Sequence, residues 1–221
     1  MFSGNKIKRR DYEIITTMIH NDSSVLDLGC GDGSLLLYLK KMRNVTGYGV
    51  DKDHRNVLAS LTNGINVLQS DLEQGLAGFG DSTFDYVILS LTLQAVHETE
   101  TIINEMLRVG KQVIVTFPNF GLWRHRLQIF LGRTPISKEL PHEWYDTPNV
   151  HVLTINDFEK YCSNHGLHVR DRIVISDDGR MVTTLPNLLG AVAIYRFNKG
   201  QASYGLILMK FRAYLLSIFV G

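Results

Sequence analysis

"VLDLGCGDG", residues 25–33, sets a short aliphatic run against a turn of three glycines, two aspartates and a cysteine. A glycine-rich turn directly after an apolar strand lets backbone approach a ligand closely. The residues that follow, "GSLLLYLKKM", space their leucines as a helix face does. Outward from this strand-turn-helix unit the alternation repeats. "DYEIITTMI" before it carries Ile14, Ile15, Met18 and Ile19 on one helical face. After it come "VTGYGV" as strand, "HRNVLASLTN" as helix closed by Gly64, "INVLQS" and "FDYVILSLTL" as strands, "ETIINEMLRV" as helix, and "KQVIVTF" as strand ended by Pro118. Five strands alternating with helices predict an α/β, doubly wound, mostly parallel sheet covered on both faces.

Beyond Pro118 the rhythm breaks. Residues 118–150 hold three further prolines and both tryptophans, and read as an insertion. "INDFEKYCSNHG" resumes as helix, followed by strands "LHVRDRIVIS" and "GAVAIYRF" with no crossover helix between them. Two strands joined in that way are expected antiparallel to each other, at the edge of the sheet. Residues 1–199 are therefore expected to form one domain, and 200–221 a tail of unassigned role. Within that tail, residues 204–220 are apolar, but they number 17 and carry Lys210 and Arg212. A spanning helix needs about 20 apolar residues and tolerates central charges poorly. No membrane span is expected, and a docked helix fits better.

Bulk composition narrows the function classes. Of 221 residues 44% are hydrophobic and 20% charged, as in ordinary globular proteins. Net charge is +1, from 23 basic and 22 acidic side chains, so no bulk field attracts nucleic acid or anionic lipid. The two cysteines, Cys30 and Cys162, lie far apart and outside any CxxC pattern, which suits a reducing cytoplasm. No signal peptide is expected from "MFSGNKIKRRDYEIITTMIH", whose basic residues precede no continuous apolar core.

The turn's spacing speaks to its ligand. A dinucleotide fingerprint GxGxxG begun at Gly29 requires a third glycine at 34, where Ser34 stands. The spacing here is GxGxG, through Gly29, Gly31 and Gly33. Asp27, two residues before the first glycine, is poorly placed beside phosphates and well placed beside a cation. S-adenosylmethionine carries an ammonium and a sulfonium and no phosphate. Asp51 ends the second strand, where a carboxylate accepts from ribose hydroxyls. Asp71 closes the third, within reach of the adenine amine, with the Leu72 N–H toward a ring nitrogen. Any one of these acids alone is an ordinary strand-end cap; three at successive strand ends with GxGxG point to S-adenosylmethionine or its demethylated product, S-adenosylhomocysteine.

"DLGCGDG", "GYGVD", "QSDL" and "FDYVILS" resemble motifs of class I S-adenosylmethionine-dependent methyltransferases. More narrowly, "LSLTLQAVHETETIINEMLRVGKQVIVTFPNFGLWRHRLQ", "PHEWYDTPNVHVLT" and "TLPNLLGAVAIYRF" resemble the methionine biosynthesis protein MetW family over roughly residues 12–198. The resemblance implies a seven-stranded methyltransferase fold with an antiparallel last strand. It implies a place in methionine synthesis beside homoserine O-acyltransferase (acetyl- or succinyltransferase). The expected cofactor-binding set is Asp27, Gly29, Cys30, Gly31, Gly33, Asp51, Lys52, Asp71, Leu72 and Ser90. The family supplies no firm methyl acceptor.

A catalytic base is harder to find. "LSLTLQAVH" lacks the Asn/Asp-Pro-Pro-aromatic run of nucleic-acid aminomethyltransferases. His97, just past the fourth strand, and His142 and Tyr145 in the insertion are weak candidates; His97 also reads plainly as a surface histidine before a helix. His125, Glu143 and Asp146 share the insertion without forming a defensible dyad. "GLWRHRLQIFLG" puts Trp123, Leu127, Phe130 and Leu131 on one helical face, with Arg124, His125 and Gln128 elsewhere. That face is expected to pack on the domain as a lid, the other reading being that Trp123 and Arg126 anchor a partner enzyme. No metal site is expected, since "HEWYD" lacks the HExxH spacing.

Overall fold

The computed structural model describes residues 4–200; residues 1–3 and the tail from 201, with its apolar stretch 204–220, lie outside the described residues. Seven strands form one sheet: β1 (Ser24–Leu28), β2 (Thr46–Asp51), β3 (Asn66–Gln69), β4 (Phe84–Ser90), β5 (Gly110–Pro118), β6 (Leu167–Ile175) and β7 (Val192–Lys199). Their order is β3-β2-β1-β4-β5-β7-β6. Neighbours from β3 to β5 pair in parallel, and β7 pairs antiparallel with both β5 and β6. The expected doubly wound sheet is present, with its one reversed strand last in the chain.

Burial explains why β7 sits inside and β6 outside. Val192–Tyr195 of β7 are buried on both faces, whereas β6 alternates half-buried and exposed residues until its last two. That alternation suits an edge strand with one wet face. A register shift between Val169 and Asp171 interrupts the β6 ladder, a common way to blunt an edge.

Helices cover both faces. On one, α1 (Gly4–Met18) and α2 (Ser34–Arg43) bury Ile14, Ile15, Leu35 and Leu39 against Val25, Ile88 and Ile194. On the other, α4 (Thr99–Val109) and α6 (Ile155–Asn164) bury Ile103, Met106 and Phe158 against Val87, Phe117 and Tyr195. The helix α3 (His54–Thr62) follows β2, with Asp53 capping it through Arg55 N–H at 2.8 Å. Gly64, at φ 73°, takes the left-handed position just past its end. The first helix begins at Gly4, ahead of the apolar face that starts at Ile14, because its opening residues, Ile7 apart, are glycine or polar and leave little hydrophobic signal. Two elements follow the insertion's start and the last turn: α5 (Trp123–Phe130) and the four-residue α7 (Pro186–Leu189). No helix among the described residues is long and apolar enough to cross a membrane.

Candidate functional site

The order of strands reverses at β1, which lies between β2 and β4, so a crevice opens at the carboxyl tips of these strands. The glycine turn stands there. Gly29, Gly31 and Gly33 take φ of 67°, 57° and 75°, a region that L side chains rarely adopt. The turn's donors are spent internally. Gly29 and Cys30 N–H both donate to the Val50 carbonyl (2.8 and 3.1 Å), and Gly33 N–H to Cys30. Gly31 N–H donates to Asp51 Oδ2 (2.8 Å), and Ser34 N–H to Asp32 Oδ1 (3.1 Å). A pyrophosphate cradle needs such N–H groups free; here they are already bonded.

Asp27, on β1, is 2% exposed and accepts no hydrogen bond from any described residue. Burial, reinforced by the nearby Asp51 charge, pushes its carboxyl up to about 8. Asp51 is the turn's anchor: besides Gly31 it accepts from Asp53 N–H (2.9 Å) and Asn56 Nδ2 (3.2 Å). A carboxylate offers about four acceptor positions, so about one is left for a ligand. Asp71 Oδ1 takes Glu73 N–H (3.1 Å), capping a 3-10 turn over Leu72–Gln74. The Cys30 thiol is pushed up to about 12 by burial and Asp27, which makes it a poor nucleophile.

A cavity of about 190 Å³ lies between these tips, lined by Gly29, Asp51, Lys52, Ser70, Asp71, Leu72, Glu73, Thr92, Ala95 and Val96. Five of the residues expected from sequence are in that lining. Asp27, Cys30, Gly31 and Gly33 build the turn beside it, and Ser90 instead faces Thr116, its Oγ 3.1 Å from the Thr116 hydroxyl. Thr92, Ala95 and Val96 escaped the sequence reading. No residue type marked them: they are placed by Leu91, which is exposed and not glycine yet takes φ 53° and turns the chain back over the crevice.

Thr92 also makes a side chain at Gly29 costly. A Cβ on Gly29 would sit 2.8 Å from Thr92 Oγ1, whereas one on Gly31 would meet nothing within 4 Å. Gly29→Ala is expected to cost about 2 kcal/mol, from the left-handed backbone and the displaced Thr92. Its melting temperature should fall by about 6 °C. Gly31→Ala should lose about half as much, and thermal melts of the two variants check the ranking.

The weak catalytic candidates do not converge. His97, His142 and Tyr145 are exposed, as are Glu143 and Asp146. The His97 segment is nonetheless fixed over the crevice rim: Glu73 accepts from the N–H groups of His97 (2.7 Å) and Glu98 (3.3 Å). The end of the insertion is pinned alongside, with Val150 and His151 N–H both on the Gln94 carbonyl.

The lid expectation for α5 is overturned. Trp123, Leu127, Phe130 and Leu131 face outward, Phe130 at 85% exposure, while His125 is 1% exposed. The reason is the junction before the helix. Asn119, fully buried, accepts from Gly121 N–H (2.9 Å) and Ile155 N–H (3.3 Å) and donates to the carbonyls of Asn187 (3.1 Å) and Gly190 (2.9 Å). This clamp sets the helix so that Leu122 and His125 point inward and the apolar stripe points out. Arg126 is not free for a partner either, because its Nε donates to the Gly121 carbonyl at 2.7 Å.

Comparison with known proteins agrees with this architecture. The chain is similar to a SAM-dependent methyltransferase from Thermotoga maritima, with TM-score 0.66, 16% identity, and coverage of 89% of this chain and 91% of that one. It is also similar to a SAM-dependent methyltransferase from Aquifex aeolicus, with TM-score 0.57, 20% identity, and coverage of 89% and 98%. At such identities the likeness shows the fold alone. In sequence it is 36% identical, over 86% of its length, to the "Bifunctional methionine biosynthesis protein MetXA/MetW" of Rhodopirellula baltica, and it spans 32% of that longer protein. The family model described as "Methionine biosynthesis protein MetW" matches residues 9–197. A class I methyltransferase fold with this match along nearly all its described length makes the chain a member of the MetW family of methionine biosynthesis proteins.

Proposed function

We propose that this protein binds S-adenosylmethionine, or S-adenosylhomocysteine, at the tips of β1 to β4, and acts with homoserine O-acyltransferase as an accessory or regulatory subunit of methionine synthesis. The observation that carries the ligand is Asp27, a buried carboxylate without a donor beside a turn whose own N–H groups are spent. A buried acid of that kind is costly alone and is relieved by a cation with donors, such as the methionyl ammonium. Asp51 would take a ribose hydroxyl on its remaining acceptor position, Asp71 the adenine amine, and Leu72 the ring. When bound, S-adenosylmethionine supplies an electrophilic methyl group. The exposed, scattered positions of His97, His142 and Tyr145 favour a sensing role over methyl transfer to a metabolite, the alternative reading.

The partnership rests on the fused MetXA/MetW relative, which joins a second unit to a MetW unit in one chain. The outward stripe of α5 with Trp144 and Tyr145, both 71% exposed, supplies the apolar surface such a partner would cover. Residues 1–199 would act as one domain, with 118–150 presenting that surface. A reducing cytoplasm suits the two free, buried cysteines.

Calorimetry with S-adenosylmethionine, with and without the acyltransferase, tests both halves; by linkage each ligand must alter the other's affinity equally. No saturable heat removes the ligand assignment. No association and no change in acylation rate removes the partnership. Phe130→Glu should weaken association by about tenfold or more while leaving the melting temperature within about 1 °C, because its side chain touches solvent.

A further inference from the structure

The exposed end of the insertion is tied to the wall of the crevice. Residues 141–152 carry Trp144 and Tyr145 and contain no helix or strand. Among the described residues, every hydrogen bond from this stretch to the rest of the domain lands on one short segment, 91–98. Val150 and His151 N–H both donate to the Gln94 carbonyl (2.9 and 3.1 Å), and His151 Nε2 lies 3.1 Å from the His97 carbonyl. The other hydrogen bonds of the stretch are internal, from Asp146 N–H to the Glu143 carbonyl and from Asn149 N–H to Thr147 Oγ1.

Segment 91–98 is also one side of the ligand cavity. Thr92, Ala95 and Val96 line it, on and beside a 3-10 turn over Leu93–Ala95. Ala95 N–H closes on the Thr92 carbonyl at 2.9 Å, and Leu93 and Val96 are packed into the core. Gln94, which holds the insertion, is thus one peptide unit from Ala95, which faces the cavity, and there is no slack between them. From the β3 side Glu73, itself a lining residue, takes His97 N–H at 2.7 Å and Glu98 N–H at 3.3 Å. The segment is held at a cost. Leu91 has a left-handed φ of 53°, and Gln94 Oε1 is buried without a partner. Both raise the free energy of this arrangement. The Glu73 bonds, and a ligand packed against Thr92, Ala95 and Val96, act against that cost and in the same direction. Loosening the segment would release the bonds at Gln94 and His97, and with them the placement of Trp144 and Tyr145.

We infer that residues 91–98 are a strap that transmits occupancy of the crevice to the exposed stretch 141–152, with Glu73 as the latch that keeps the strap against the ligand. This rests on the reading of the crevice as the S-adenosylmethionine or S-adenosylhomocysteine site and of the insertion as the surface offered to the acyltransferase. The strap need not travel far, because a ligand that only orders it already couples the two sites.

The test is NMR-detected hydrogen exchange of the full chain with and without S-adenosylhomocysteine, saturation being established by calorimetry on the same protein. Val150 and His151 line no part of the cavity, yet their amides should exchange at least about fivefold more slowly with ligand bound. In Glu73→Ala at saturating ligand that gain should fall below about twofold, and Glu73→Gln, which keeps an acceptor oxygen for one of the two N–H groups, should restore part of it. His151→Ala, outside the cavity, keeps the test open if Glu73→Ala does not bind. It should take up ligand within about twofold of wild type while the Val150 amide shows less than about half the wild-type gain. Unchanged exchange at Val150 and His151 in wild type that binds ligand would overturn the strap and leave the ligand assignment standing. The full gain persisting in both Glu73→Ala and His151→Ala would overturn it as well. Absence of saturable heat removes the ligand assignment, and the strap with it.

Discussion

Asp27→Asn should lower S-adenosylmethionine affinity on the order of 100-fold while making the ligand-free protein more stable at alkaline pH. The first effect follows from removing the buried acid beside the crevice that accepts no hydrogen bond from any described residue and that ionises against the ligand's ammonium; losing a buried charge-assisted pair is worth several hydrogen bonds in water. The second follows from linkage. Burial and the neighbouring Asp51 raise the Asp27 carboxyl from 3.8 to about 8 in the folded protein. The stability tied to that group is therefore intact below pH 4, erodes as pH rises, and is gone above about pH 8. Asparagine has no proton to lose, so the variant escapes that erosion. Urea midpoints of both proteins at pH 5 and pH 9 check the sign: the gap should favour the variant more at pH 9. At pH 7 the wild type holds most of this proton, and binding a cation must expel it. Calorimetry in buffers of different ionisation enthalpy should show release of about one proton, and none from the variant. A variant that binds as tightly as wild type would remove Asp27 from the site altogether.

Asn119→Ala is expected to have the largest effect on stability, about 3–5 kcal/mol. Its side chain answers two N–H groups and two carbonyls in the interior, joining β5, α6 and α7. Alanine takes a partner from Gly121 N–H and from the Asn187 and Gly190 carbonyls, while Ile155 N–H keeps its bond to Asn187 Oδ1 at 3.2 Å, and each such loss costs about 1–3 kcal/mol. A melting temperature lower by about 10 °C is expected. The same clamp orients α5, so the proposed interaction with the acyltransferase should weaken with it, and tryptophan fluorescence should report Trp123 in a changed environment. Asn119→Asp, which keeps the two accepting contacts but turns the donors into repelling oxygens, should not rescue either measure.

The fold and the crevice were legible in the sequence, and for a common reason. Strand and helix periods are local, and in a doubly wound sheet any acid that ends a strand near the switch point is carried to the crevice by topology. Asp51, Asp71 and Leu72 line the cavity accordingly, and Asp27 sits beside it. Thr92 was not legible, because its place over Gly29 depends on Leu91 adopting a left-handed backbone that its residue type gives no hint of.

By itself the chain's order of residues determined the alternating α/β layers, the glycine turn and the ring of strand-end carboxylates, all of which follow from short-range pattern. Only the tertiary structure decided which side of α5 is inside. An amphipathic period marks two faces but not which one finds a neighbour, and here hydrogen bonds from Asn119 to residues as distant as Gly190 turned the histidine inward and the tryptophan out.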